Sequence, residues 1–172
     1  MLRSETKEEN RAMSSDIPLK DKTVLVVDDE PDVLETVEEE LDMCRVSKAR
    51  DYETAFEYLV GHVYDMVILD IMGVSGFKLL KDAASRGIPT AILTAHAFTP
   101  DALKQSIKLG AVSFLPKDKM SELSYFLEDV FMNDGKPVWR KLFEKLGPYF
   151  DKHFGPDWKN QDIFFKEFLA SL

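Results

Sequence analysis

The stretch Met66-Val67-Ile68-Leu69 constrains the fold more than any other feature, because it is apolar at every position and stops abruptly at Asp70. A strand with one wet face alternates apolar and polar residues, whereas an unbroken apolar run belongs to a strand covered on both faces, the habit of parallel sheets. Thr23-Val24-Leu25-Val26-Val27 is of the same kind and ends at Asp28-Asp29-Glu30-Pro31. Two further runs, Ile88-Pro89-Thr90-Ala91-Ile92-Leu93 and Ala111-Val112-Ser113-Phe114-Leu115, end at Thr94 and at Pro116-Lys117. Pro89 is tolerated because it opens its strand. Arg45-Val46-Ser47-Lys48-Ala49-Arg50 alternates instead and suits a strand near the sheet edge.

Between these runs apolar residues recur at three-to-four-residue spacing. Val33, Leu34, Val37 and Leu41 follow Pro31, which costs nothing in a first helical turn. Ala55, Phe56, Leu59 and Val60 lie between a capping Asp51 and Gly61, and Phe77, Leu79, Leu80 and Ala83 run up to Gly87. Leu103, Ile107 and Leu109 sit between Pro100 and Gly110, and Leu123, Phe126, Leu127, Val130 and Phe131 make a fifth set. Five strands alternating with five helices predict an α/β doubly wound fold, a parallel sheet with helices on both faces. Ligands of such sheets bind just beyond the carboxyl ends of the strands.

The 172 residues suffice for one well-buried domain and an appendage. We expect a flexible tail over residues 1–21, with Met1 or Met13 as the start, a main domain over 22–132, and a linker with a helical C-terminal extension over 133–172. In that last part Trp139, Leu142, Phe143 and Leu146 suggest one helix and Ile163, Phe164, Phe165, Phe168 and Leu169 another, punctuated by Gly147-Pro148 and Gly155-Pro156. Its many aromatic residues point to packing on the main domain or on a second copy. A net charge of −9 opposes direct nucleic-acid binding. No apolar leader opens the chain and no run is long enough to span a membrane, so a membrane role is not expected and a cytoplasmic location is. Cys44, the single cysteine, has no partner for a disulfide or metal site.

The strand ends share a chemistry. Asp28, Asp29 and Asp70 offer the hard oxygen ligands that Mg²⁺ prefers, and Asp70 can attack phosphorus as a carboxylate nucleophile, giving an acyl phosphate. Lys117 would neutralise charge on the transferring oxygens while Thr94 donates a hydrogen bond to one of them. No general base is needed, because an Asp carboxylate is already ionised near neutral pH.

Val-Val-Asp-Asp-Glu-Pro, Val-Ile-Leu-Asp-Ile-Met, Ile-Leu-Thr-Ala and Phe-Leu-Pro-Lys stand in this order between Lys22 and Met132, and the sequence with them resembles a bacterial response-regulator receiver domain. The resemblance implies a flavodoxin-like sheet of strand order 2-1-3-4-5. It implies that Asp70 takes phosphate from the phosphohistidine of a sensor kinase or phosphotransfer protein, with Mg²⁺ held by Asp28, Asp29, Asp70 and the main-chain carbonyl of Met72. It also implies a switch pair, Thr94 moving toward the phosphate and the Phe114 ring following it inward. Output would go to a downstream protein or a second copy, and the chain would be a signalling protein that only phosphorylates and slowly dephosphorylates itself.

Three departures bear on this. The loop Gly73-Val74-Ser75-Gly76 is about two residues shorter than is usual and lacks a proline. Lys117 is followed by Asp118, with Pro116 before it instead of a proline after it, so a cis peptide is not expected there. Met72 and His96 occupy positions that in the family influence acyl-phosphate hydrolysis, and Met72 is expected to hinder the attacking water and make the phosphorylated form long-lived. Rival readings are a phosphorylation-deficient scaffold and a phosphoaspartate phosphatase.

Overall fold

A computed structural model of the chain describes residues 18–172. Of the tail expected over residues 1–21, residues 1–17 lie outside the described residues. Pro18 to Asp21 are not tail: Leu19 is buried and the Asp21 N–H donates to the Met43 carbonyl at 2.9 Å. A single leucine anchors this turn, because Leu19 also accepts the Cys44 thiol hydrogen bond through its carbonyl.

Among the described residues five parallel strands lie in the order β2-β1-β3-β4-β5: β1 (Thr23–Val27), β2 (Arg45–Ala49), β3 (Met66–Leu69), β4 (Thr90–Thr94) and β5 (Ser113–Pro116). Strand β2 sits at the edge, as its alternating polar residues require, since only one of its flanks and part of one face are covered. The continuous runs of β1 and β3 lie side by side in the middle, with Val24 paired to Met66 and Val27 to Leu69. That register brings Asp28 and Asp70 out at one end of the sheet, one residue beyond a paired Val27 and Leu69. The Asp70 N–H continues the ladder by donating to the Val27 carbonyl at 3.0 Å.

The connecting helices are α1 (Pro31–Glu40), α2 (Tyr52–Gly61), α3 (Gly76–Ser85), α4 (Pro100–Lys108) and α5 (Leu123–Met132). Each starts where a local chemical reason puts it. Pro31 fixes the first turn of α1, the Asp51 carboxylate accepts from the Thr54 N–H at α2, and the Thr99 hydroxyl accepts from the Ala102 N–H at α4. Leu34, Val37, Leu59, Leu79, Leu80, Leu103, Leu123 and Leu127 go inward against the sheet. Each such side chain contributes roughly 1.5–3 kcal/mol of apolar burial. Between β5 and α5 the chain inserts a 3₁₀ segment, Lys117–Glu122, which the apolar spacing does not reveal.

The extension forms α6 (Trp139–Phe154), a short 3₁₀ turn (Trp158–Asn160) and α7 (Ile163–Ser171). Gly147-Pro148, expected as punctuation, does not end a helix: α6 runs through it. Gly155 does end α6, at φ 94°. The extension packs on the main domain, with Trp139, Leu142, Leu146, Phe150, Trp158 and Phe165 buried in the same core as the sheet. The linker is folded too, since the Val138 N–H donates to the Val112 carbonyl at 3.2 Å.

Candidate functional site

At the carboxyl ends of β1, β3 and β5 the structure brings together three of the sequence-identified residues. Lys117 reaches inward from the end of β5 and its Nζ donates to Asp70 Oδ2 and to Asp28 Oδ2, both at 2.8 Å. Glu30 Oε1 lies farther from the same ammonium, at 3.7 Å. Asp28 and Asp70 are 2% and 4% exposed, so these carboxylates have given up most of their water. Burying two carboxylates side by side is costly without a cation between them, and Lys117 is the cation that both contact. Burial raises the Asp28 carboxyl above the ordinary carboxylate range, against the opposing pull of Lys117 and the Glu30 N–H. Burial alone would lower the Lys117 ammonium, but its bonds to Asp28 and Asp70 outweigh this and raise it.

The free oxygen of Asp70 is held by its own chain. Asp70 Oδ1 accepts from the Ile71 N–H at 2.7 Å and from the Met72 N–H at 3.4 Å. The short loop that follows closes because Gly76 has no side chain: a Cβ there would stand 2.3 Å from the Asp70 carbonyl oxygen and 2.4 Å from the Ile71 Cα. Its N–H donates to the Ile71 carbonyl at 3.1 Å, tying the start of α3 back to the strand end. Gly73 is needed for two reasons, its φ of +82° and a Cβ position only 2.5 Å from Asp29 Oδ2. Met72, two residues past Asp70, is exposed over half its surface.

Asp28, Asp29 and Glu30 bring their oxygens within 4.8 Å of one another. Opposite ligands of an octahedral Mg²⁺ are about 4 Å apart, so this hard-oxygen set fits such an ion with small side-chain adjustments. Asp29 and Glu30 are exposed and free to make them. Asp70, expected in the same ligand set, shares Lys117 with Asp28, and Glu30 is a third carboxylate of the cluster that the sequence analysis left out although it stands two residues from Asp28.

Thr94 ends β4 fully buried, and its Oγ1 accepts from the Ala97 N–H at 3.3 Å. Phe114 is also fully buried. The ring that the resemblance has following Thr94 inward already lies inside here, 5.4 Å from the Phe98 ring. Among the described residues the peptide bonds are trans, including the one after Lys117. His96 is exposed in the loop after Thr94.

The sequence pattern of the response regulator receiver domain matches residues 24–127. The chain belongs to the response regulator receiver family. It is 35% identical over 101 residues to response regulator GtcR of Aneurinibacillus migulanus, covering 56% of this chain and 41% of that protein. It is 36% identical over 104 residues to response regulator Rre1 of Synechocystis, covering 55% and 45%. The chain thus spans less than half the length of these curated relatives. In three dimensions the receiver resembles a response regulator from Thermotoga maritima, with a TM-score of 0.60 at 24% identity over 65% of this chain and 98% of that one. A CheY-like receiver from Methanospirillum hungatei gives 0.58 at 18% identity over 67% and 99%. These two likenesses show the fold, which is the doubly wound one expected.

Two features near the site were missed by the sequence analysis. A cavity of about 250 Å³ is lined by Thr94, Phe98 and Lys117 of the receiver and by Tyr149 and His153 of α6. The Tyr149 hydroxyl donates to Asp118 Oδ2 at 2.8 Å, next to Lys117. Burial and that carboxylate push the Tyr149 phenol up to about 12. Cys44 is inert by the same kind of argument: burial and then Asp42 and Asp65 push its thiol up to about 11. Among the described residues no helix is long and apolar enough to cross a membrane.

Proposed function

We propose that this receiver is a phosphoacceptor switch of a two-component system, with Asp70 taking a phosphoryl group from a phosphohistidine of a sensor kinase or phosphotransfer protein. The observation that carries this is the Lys117 ammonium at 2.8 Å from both Asp70 and Asp28. A fixed cation there would neutralise phosphoryl oxygens on Asp70, and the buried carboxylates around it make that charge count. In the step itself an Asp70 oxygen bonds to phosphorus as the phosphorus–nitrogen bond breaks, and its electron pair leaves with the imidazole. Lys117 then exchanges part of its contact with Asp70 for a phosphoryl oxygen, and the Thr94 hydroxyl donates to another. Asp28 and Asp29, with Glu30 beside them, would hold a Mg²⁺ ion, which would supply further neutralisation of the phosphoryl charge.

Output runs through protein contact: the net charge of −9 is unsuited to a phosphate backbone, and the extension is a packed aromatic body and not a basic one. The protein turns over no external phosphoester and acts from the cytoplasm. Phosphoramidate, a small donor with the same phosphorus–nitrogen bond, should label the isolated protein only with Mg²⁺ present. The label should be released by hydroxylamine, as an acyl phosphate is, and should persist for minutes because Met72 shields it. Decay within seconds would contradict the shielding, and steady phosphate release from model esters would favour a phosphatase instead.

A further inference from the structure

The loop between Thr94 and α4 is braced at both ends. At one end the Thr94 Oγ1 accepts from the Ala97 N–H, and at the other Thr99 caps α4 while its own N–H donates to the Ala97 carbonyl at 3.0 Å. Phe98 projects from the middle of this short unit, and among the described residues its ring meets five others. Phe114 of β5 is one; Tyr149, Phe150, His153 and Phe154, all on α6, are the rest, with centroids 5.0 to 5.9 Å away. Phe98 therefore joins the phosphoacceptor end of the sheet to a helix that lies outside the stretch matching the receiver family. Around this aromatic centre the extension is held to the receiver helices by charge. Lys104 on α4 donates to Asp162 at the start of α7 at 2.7 Å, and Lys145 on α6 pairs with Asp129 on α5.

Phe114 is already fully buried against Phe98, so it has no inward movement left to make. A phosphoryl oxygen at Asp70 that pulls the Thr94 side chain toward it would carry Oγ1 away from the Ala97 N–H, whose bond at 3.3 Å is already long. A buried N–H must find another partner, so the loop shifts, and a unit braced at both ends moves its tip. We infer that the C-terminal helices are the output element of this receiver, and that Phe98 is the side chain through which phosphorylation of Asp70 changes how α6 docks. The inference rests on the phosphoacceptor reading above.

The test is amide hydrogen exchange of the full chain with and without acetyl phosphate and Mg²⁺, with intact mass counting phosphate in the same samples. Phosphorylation should speed exchange in peptides covering residues 149–158 by at least about fivefold, the lower end of ordinary coupling between sites. Peptides of β1 and β3 should not change. Phe98→Leu and Phe98→Ala should still gain phosphate but lose most of that difference. A Phe98 that is merely part of the packing would raise exchange equally in both states and leave the phosphorylation-dependent difference intact, which would overturn the inference. Phosphate gained by the native protein with no change at residues 149–158 would also overturn it while leaving the phosphoacceptor reading in place. Absence of phosphate on the native protein under Mg²⁺ would overturn both.

Discussion

The carboxyl end of the sheet and the face under α6 are built from opposite materials. At the sheet end two buried carboxylates share one ammonium, and Gly76 brings backbone against backbone. Under α6 the same receiver is closed by stacked, tilted and edge-on rings, Phe98, Phe150, Phe154 and Trp158, with the Trp158 indole donating to Asp151 and the Tyr149 hydroxyl to Asp118. Charges held in a dry cradle lose hydration in return for preorganisation, whereas rings gain from every contact. On the proposed reading an added charge would arise at the first region, and the aromatic face would register it through its cohesion.

The largest expected effect falls on the aromatic side. Phe150→Ala removes a fully buried ring and should destabilise the chain by about 3–5 kcal/mol in denaturant titration. Two separate transitions in that variant would show that the extension unfolds apart from the receiver and would break the comparison as drawn. At the sheet end, Lys117→Met leaves Asp28 and Asp70 facing each other without their cation. A loss of about 3 kcal/mol is expected, the lower end for a broken buried pair, and Mg²⁺ should restore part of it. Equal loss with and without Mg²⁺ would mean that the acidic cluster holds no ion.

Gly76→Ala forces a Cβ into the Asp70 carbonyl and should cost about 2 kcal/mol as an overpacked contact, with slower labelling of Asp70. Labelling at the native rate would show that the short loop can move aside. The smallest effects are in the charges between extension and receiver. The Lys104 bond, with the Phe164 N–H, lowers the Asp162 carboxyl, so its contribution is present above the ordinary pKa of 3.8 and is lost as pH falls through the lowered value. Native protein and Asp162→Asn should differ in thermal midpoint at neutral pH and converge in acid. Tyr149 has the opposite sign. Its raised phenol contributes below the ordinary value of 10 and loses that contribution as pH climbs toward about 12, which the ultraviolet difference spectrum against Tyr149→Phe reads directly.

How much of this was legible in the sequence follows the same division. Strand and helix positions were readable because each buries a periodic stripe against the sheet, and Asp28, Asp70, Thr94 and Lys117 were readable because each stands at the end of such a run. What α6 covers was not, since a period of three to four shows which residues are apolar and nothing about the partner, here Phe98 some fifty residues earlier. Gly147-Pro148 misled because a helix packed along one face tolerates a proline that local rules would place at its end. Glu30 was hidden by its ordinary position before a helix. Gly76 looked like loop punctuation until the distance to Asp70 showed its purpose.

The central claim is that Asp70 accepts phosphate in the cradle of Lys117 and the acidic cluster. Intact mass after incubation with acetyl phosphate and Mg²⁺, for the native protein beside Asp70→Asn, tests it most directly. One added phosphate on the native chain that requires Mg²⁺ and is absent from the variant is the predicted result. No added phosphate on the native chain, or the same gain on Asp70→Asn, would contradict it.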